Sequence, residues 1–161
     1  TSSFLRAGPE TVDQRSHDNN QNASARACKE AKRRGVTTAL MFDAQGFLAE
    51  AFASHVAIIQ SGKLLTPHIR CCPEGVTRRV MLELCASDGI EAEEADISKA
   101  DVGTADELFI MGTMSGPVAV TELDGRQVGN GKIGPTTSRL YDLYRAATSD
   151  PDQSYPIMEG I

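Results

Sequence analysis

The stretch Glu74-Gly75-Val76-Thr77-Arg78-Arg79-Val80-Met81-Leu82-Glu83-Leu84-Cys85 decides how the rest of the chain is read. A turn glycine is followed at once by apolar residues at helical spacing. Val76, Val80, Met81 and Leu84 fall on one face of a helix predicted to stop near Asp88-Gly89. The first amides of such a helix, at Val76 and Thr77, have no acceptor inside the helix. Gly75 lets a ligand approach that end closely, and the Thr77 hydroxyl adds a donor. Free amides, the positive end of the helix dipole and a hydroxyl together make a seat for a phosphate. The same pattern also describes an ordinary capped helix, so the surroundings must decide.

Upstream, residues 67–73 form a loop. Before it lie strand patterns at 37–43, 47–52, 54–60 and 63–66, parted by turns at Asp43-Ala44-Gln45-Gly46 and Ser61-Gly62. Residues 20–34 read as a helix ending in the basic turn Lys32-Arg33-Arg34 before Gly35. That is a normal helix stop, not a nucleic-acid patch. Residues 1–16 are polar and read as a linker.

Downstream, 91–97 is a polar edge strand, 98–104 a short helix and 107–112 a buried strand. Met111-Gly112-Thr113-Met114-Ser115-Gly116 is a small-residue loop, equally suited to a second backbone anion contact or a plain turn. Residues 118–123 and 126–129 flank Asp124-Gly125 as a hairpin. Gly134-Pro135-Thr136 opens a last amphipathic helix through Tyr144 and Ala147, and 149–161 is an extended tail. Strands run first, helices are interspersed, and neither a βαβ rhythm nor an internal repeat is visible. The expected class is α+β.

The 161 residues suffice for one cored domain. A net charge of −6 argues against nucleic acid or an anionic membrane as main partner, and no apolar run is long enough to span a bilayer. No signal-peptide pattern opens the chain, so a cytoplasmic setting is expected for it. Cys28, Cys71, Cys72 and Cys85 lack metal or redox spacing and read as reduced structural thiols. A zinc site from His68, Cys71 and Cys72 with His17 or His55 is the weaker alternative, and no metal is expected.

Taken together, the features follow a known order. Thr11-Val12-Asp13 is followed by a helix ending in Glu30-Ala31 and Gly35. Asp43-x-x-Gly46-Phe47-x-x-Glu50, the strand 56–59 with Gly62, and Thr66-Pro67 come next. Gly75-Val76-Thr77-Arg78, Ala105-Asp106-Glu107-Leu108-Phe109, Gly112-Thr113, Asp124-Gly125 and Gly134-Pro135 complete it. This order resembles the large C-terminal domain of class IV (fold-type IV) aminotransferases, which depend on pyridoxal 5′-phosphate (PLP). The Thr-Val-Asp opening and the tail are similar to the branch holding branched-chain and D-amino-acid aminotransferases and (R)-selective amine transaminases.

The resemblance implies the D-amino-acid aminotransferase-like fold, a mixed barrel-like sheet flanked by helices, over 17–148. It implies amino-group transfer between an amino acid or amine and a 2-oxo acid, and a homodimer. PLP needs an amine to hold it, an acid at its ring nitrogen and a seat for its phosphate. By resemblance Glu50 is the acid, while Val76, Thr77 and Thr113 hold the phosphate. Read from the residues alone, Glu50 is a solvated strand carboxylate.

Three departures stand out. The family pattern Thr-Val-Asp-x-Arg-x-Lys reads Thr11-Val12-Asp13-Gln14-Arg15-Ser16-His17 here, so His17 occupies the catalytic lysine position. An imidazole has no primary amine and can serve only as a weak general base. His55 replaces an asparagine, and the family's first domain is not in this chain. The expectation is therefore a weak or inert domain, with a non-catalytic assembly module as the alternative.

Overall fold

The computed structural model describes residues 1–8, 22–70 and 72–151. Its elements are α1 (Asn22–Arg33), β1 (Leu40–Phe42), β2 (Leu48–Ala51), β3 (His55–Gln60), β4 (Lys63–Pro67), α2 (Val76–Asp88) and β5 (Ala92–Ala95). There follow α3 (Lys99–Thr104), β6 (Glu107–Gly112), β7 (Gly116–Ala119), β8 (Glu122–Leu123), β9 (Arg126–Gln127) and α4 (Pro135–Ser149).

The central sheet has the order β5-β4-β3-β6-β7, antiparallel except where β4 pairs with β5. That parallel pair is joined through α2, so one βαβ crossover exists where the sequence showed no such rhythm. A single unit sets no repeat for a pattern search to find. β1 and β2 form a separate hairpin. The Leu48 amide donates to the Ile97 carbonyl at 2.8 Å and ties β2 to the chain beyond β5. On the other flank, the Ser2 and Arg6 amides donate to the Leu40 and Phe42 carbonyls, laying the opening residues along β1. The sheet and hairpin together make the barrel-like wall of an α+β fold.

Three apolar clusters fill the layers. Leu40, Phe42, Leu48, Val56, Ile58 and Leu108 pack between the hairpin and the sheet. On the sheet's other face, Ala57, Ile59, Phe109 and Met111 meet Met81 and Cys85 of α2 and Leu140 and Tyr144 of α4. Ala27 and Ala31 of α1 seat on Ala39 and Met41.

Two local expectations need correction. β1 spans three residues where a strand over 37–43 was predicted. The Asp43 carboxylate accepts the Gln45 and Phe47 amides and turns the chain at once, with Gly46 at φ +90. The buried stripe of α2 is Thr77, Arg78, Met81 and Cys85, whereas Val76 is 66% exposed. Hydropathy pointed to the neighbouring stripe because Thr77 and Arg78 are buried by specific polar partners. The Arg78 guanidinium donates to the Pro67 carbonyl at 2.9 Å and pairs with Glu94.

Candidate functional site

The site begins at the first turn of α2. Gly75 is its N-cap, with no side-chain cap and no acidic residue in the first turn. The other helices with described starts differ. α3 carries a Ser98/Asp101 capping box, and the Thr136 and Thr137 amides of α4 donate to the Glu107 carboxylate at 2.9 and 2.7 Å. α2 thus presents a positive helix end that no described side chain caps. The Thr77 hydroxyl, buried at 5% exposure, lies 3.4 Å from the Thr113 hydroxyl in the β6–β7 turn. The Tyr144 hydroxyl donates to the Thr113 carbonyl at 3.4 Å and braces that turn from α4.

Gly75 serves a purpose other than the one expected. A methyl group built on it would stand 2.3 Å from Cε1 and 2.6 Å from Nδ1 of His55. The imidazole occupies the space that a side chain at position 75 would need. Its Nε2 lies 2.8 Å from the Pro73 carbonyl, so His55 fixes the loop leading into α2. His55 also pairs with Met111 across the β3–β6 register, two residues before Thr113.

Glu50 stands on β2 and is 7% exposed, not solvated. Its Oε1 lies 3.0 Å from Nε of Arg6, itself 3% exposed, and the Arg6 Nη1 donates to Ser24 of α1 at 2.9 Å. Burial pushes the Glu50 carboxyl up to about 7, the Arg6 charge only partly opposing the loss of solvation. Glu107 is equally buried and offers a contrast. It accepts the Thr136 and Thr137 amides and the Thr137 hydroxyl, whereas among the described residues Glu50 has the Arg6 ion pair and no backbone amide or hydroxyl donor. One glutamate is saturated and structural; the other is an acceptor with capacity to spare.

Glu50 touches neither Thr77 nor Thr113 directly. They meet through the β2–β3 turn: Ala51 bridges Ser54, and a methyl on Gly112 would lie 3.7 Å from the Ser54 hydroxyl. His17 and Cys71 lie outside the described residues. Among the described residues, Cys28, Cys72 and Cys85 are not joined to one another by a disulfide, and no group of His, Cys, Asp or Glu is arranged to hold a metal. Arg6 escaped sequence reasoning because nothing near it in the chain announces a carboxylate partner 44 positions away. A cleft of about 680 Å³ lies between β1 and β7, and none of Glu50, Val76, Thr77 or Thr113 lines it.

The sequence model for amino-transferase class IV matches residues 1–123. The chain belongs to the class IV aminotransferases. Among its relatives, the branched-chain-amino-acid aminotransferase-like protein 2 of Arabidopsis thaliana is 33% identical over 161 residues, which cover 100% of this chain and 29% of the relative. A probable branched-chain-amino-acid aminotransferase of Aquifex aeolicus is 37% identical over 137 residues, 82% of this chain and 43% of its own length.

The fold agrees with solved class IV aminotransferases. The branched-chain amino acid aminotransferase of Thermobaculum terrenum in its PLP form superposes with TM-score 0.84 at 31% identity, covering 89% of this chain and 48% of that one. The Escherichia coli branched-chain amino acid aminotransferase gives 0.87 at 31%, covering 90% and 50%. The chain thus spans about half the length of these solved class IV aminotransferases. Among the described residues no helix is long and apolar enough to cross a membrane.

Proposed function

We propose that this chain is a PLP-binding domain of the aminotransferase type. In this reading the cofactor phosphate is held by the Val76 and Thr77 amides and the Thr77 and Thr113 hydroxyls, and the ring nitrogen by Glu50. The observation that carries it is the contrast between the two buried glutamates. Glu107 is saturated by three hydrogen bonds, and among the described residues Glu50 has only its ion pair with Arg6. An unsaturated buried carboxylate matches a ring N–H, and an uncapped helix end matches a phosphate. When bound, PLP supplies a ring that absorbs the electron pair left as a proton departs from an amino acid or amine. Glu50 keeps the ring nitrogen protonated, Arg6 limits how far burial raises Glu50, and His55 fixes the loop that presents the α2 amides.

The reaction of this type is amino-group transfer between an amino acid or amine and a 2-oxo acid. With His17 at the lysine position, the chain by itself is weakly active or inert, and a homodimer is its expected assembly. The cytoplasm is the setting we assign, in keeping with cysteines that form no disulfide among the described residues. A second reading, an assembly module paired with a complete homologue, draws support from Val76 and Met114, 66% and 100% exposed beside the hydroxyl pair.

The test is a PLP titration followed from the ultraviolet to the blue, then borohydride and intact mass. Saturable binding without a covalent mass increase supports a cofactor site lacking its anchor. A covalent increase at one site, for instance Lys29 or the exposed Lys32 of α1, would show that another lysine supplies the amine. No binding removes the cofactor reading and leaves the assembly module.

A further inference from the structure

Glu50 is buried with spare acceptor capacity, yet its carboxylate must point in one direction to meet a ring nitrogen. What holds it is Arg6, and the arrangement around Arg6 is built rather than incidental. The guanidinium is 3% exposed, its Nε lies 3.0 Å from Glu50 Oε1, and its Nη1 donates to the 4%-exposed Ser24 hydroxyl at 2.9 Å. The Arg6 backbone amide donates to the Phe42 carbonyl at 2.9 Å, clamping the residue to β1. Met41 of the same strand is the register partner of Glu50 on β2. Arg6 is thus fixed to β1 through its backbone and to α1 through Ser24, while its charge reaches Glu50 on β2.

We infer that Arg6 is the positioning residue for Glu50, holding one carboxylate oxygen so that the other is directed to the nitrogen of a bound pyridinium. This rests on the PLP reading above. A planar guanidinium suits the task because its donors diverge at fixed angles, so the Ser24 contact orients the edge that faces Glu50. A lysine ammonium at the same place supplies the charge without that orientation. Charge and orientation are therefore separable by substitution.

Among the described residues, Arg6 is the charged group that acts on Glu50. On neighbouring elements His55 is engaged with the Pro73 carbonyl, His68 faces Glu94 at 3.5 Å, and Asp43 accepts the Gln45 and Phe47 amides. Arg78 is committed to Pro67 and Glu94. None of these takes over from Arg6.

The experiment compares wild type with Arg6→Lys, Arg6→Gln and Ser24→Ala. PLP affinity is measured from pH 6 to 9, and inorganic phosphate is titrated separately by phosphorus NMR. Far-ultraviolet circular dichroism checks the fold. Ser24→Ala, which leaves both charges in place, is the variant that remains informative if Arg6→Gln fails to fold.

The expected result is a loss of PLP affinity of about tenfold or more in Arg6→Gln, with a smaller loss of a few fold in Arg6→Lys and Ser24→Ala. The pH dependence of PLP binding should move in all three variants, while inorganic phosphate binds as in wild type because its seat is untouched. A merely structural role for Arg6 would weaken both ligands alike. If wild type binds PLP and the folded variants keep its affinity and pH profile, the role of Arg6 is refuted while the cofactor reading stands. If wild type takes up no PLP, the cofactor reading itself fails and the role of Arg6 falls with it.

Discussion

The unsaturated burial of Glu50 makes a quantitative prediction for the protein without any ligand. An unfolded glutamate ionises near 4.5, and in the folded chain Glu50 does so at about 7. Between those values the folded state binds the extra proton. The contribution is therefore full below the unfolded value and is lost as pH rises through the folded one. Integrated from pH 5 to pH 8, the loss from this group is about 2.5 kcal/mol, at roughly 1.36 kcal/mol per unit.

The perturbation is Glu50→Gln, which keeps the shape and removes the titration. Urea unfolding by circular dichroism at pH 5, 6, 7 and 8 gives the stability of both proteins. The slope with pH is the quantity read, because the offset also contains the cost of removing the Glu50 charge from beside Arg6. Other shifted groups stay outside the window. Hydrogen bonds from Ser3, Arg139 and Ser98 hold Glu30, Asp88 and Asp101 below the usual carboxylate range, and burial pushes the Cys85 thiol up to about 11. Groups common to both proteins cancel in the difference. Wild type should lose about 2.5 kcal/mol more than Glu50→Gln between pH 5 and 8. Parallel slopes would refute the reasoning, since they would mean that Glu50 ionises as freely in the folded chain as in the unfolded one.

Other outcomes follow from the same geometry. Gly75→Ala forces a methyl into the His55 ring and should destabilise the chain by about 2 kcal/mol, with His55→Ala in the same chain relieving most of it in urea melts. The backbone at Gly75, φ −99 and ψ 128, suits alanine, so equal stability of Gly75→Ala and wild type would mean that the ring is not held there. On the proposed phosphate seat, Thr77→Val should weaken PLP binding by about 1–2 kcal/mol, the worth of a hydroxyl bonded to a charged group, and a titration showing unchanged affinity would overturn that placement. Glu107→Ala leaves the Thr136 and Thr137 amides without their acceptor and should cost about 2–4 kcal/mol, with hydrogen exchange rising first at the start of α4.

Much of the architecture was readable because it rests on local chemistry. The α2 boundaries follow from Gly75 and Gly89, the latter at φ +72 where a side chain is disfavoured. The β8–β9 turn follows from Asp124-Gly125, both at positive φ. Thr77 and Thr113 were selected by motif order, and their hydroxyls do meet. The register of α2 was misread by one stripe, because Thr77 and Arg78 are buried through partners on β4, β5 and the β6–β7 turn that no window of the sequence contains. The purpose of Gly75 was misread for a similar reason. The ring that needs its missing side chain comes from β3, 20 residues earlier.

The sequence by itself determined the order of elements and the turns, since these depend on periodicity and glycine conformations along the chain, and it pointed to the family through the resemblance of its motif order. Only the tertiary structure decided which of two glutamates is held by three hydrogen bonds and which, among the described residues, by an ion pair. Glu50 and Glu107 both stand in strands and are equally buried. One received the first amides of α4, and the other received a guanidinium from the opening segment. Burial raises the free energy of any carboxylate, but the number of donors folded around it sets whether that cost is cancelled. Those donors come from distant parts of the chain, where only the fold brings them within reach.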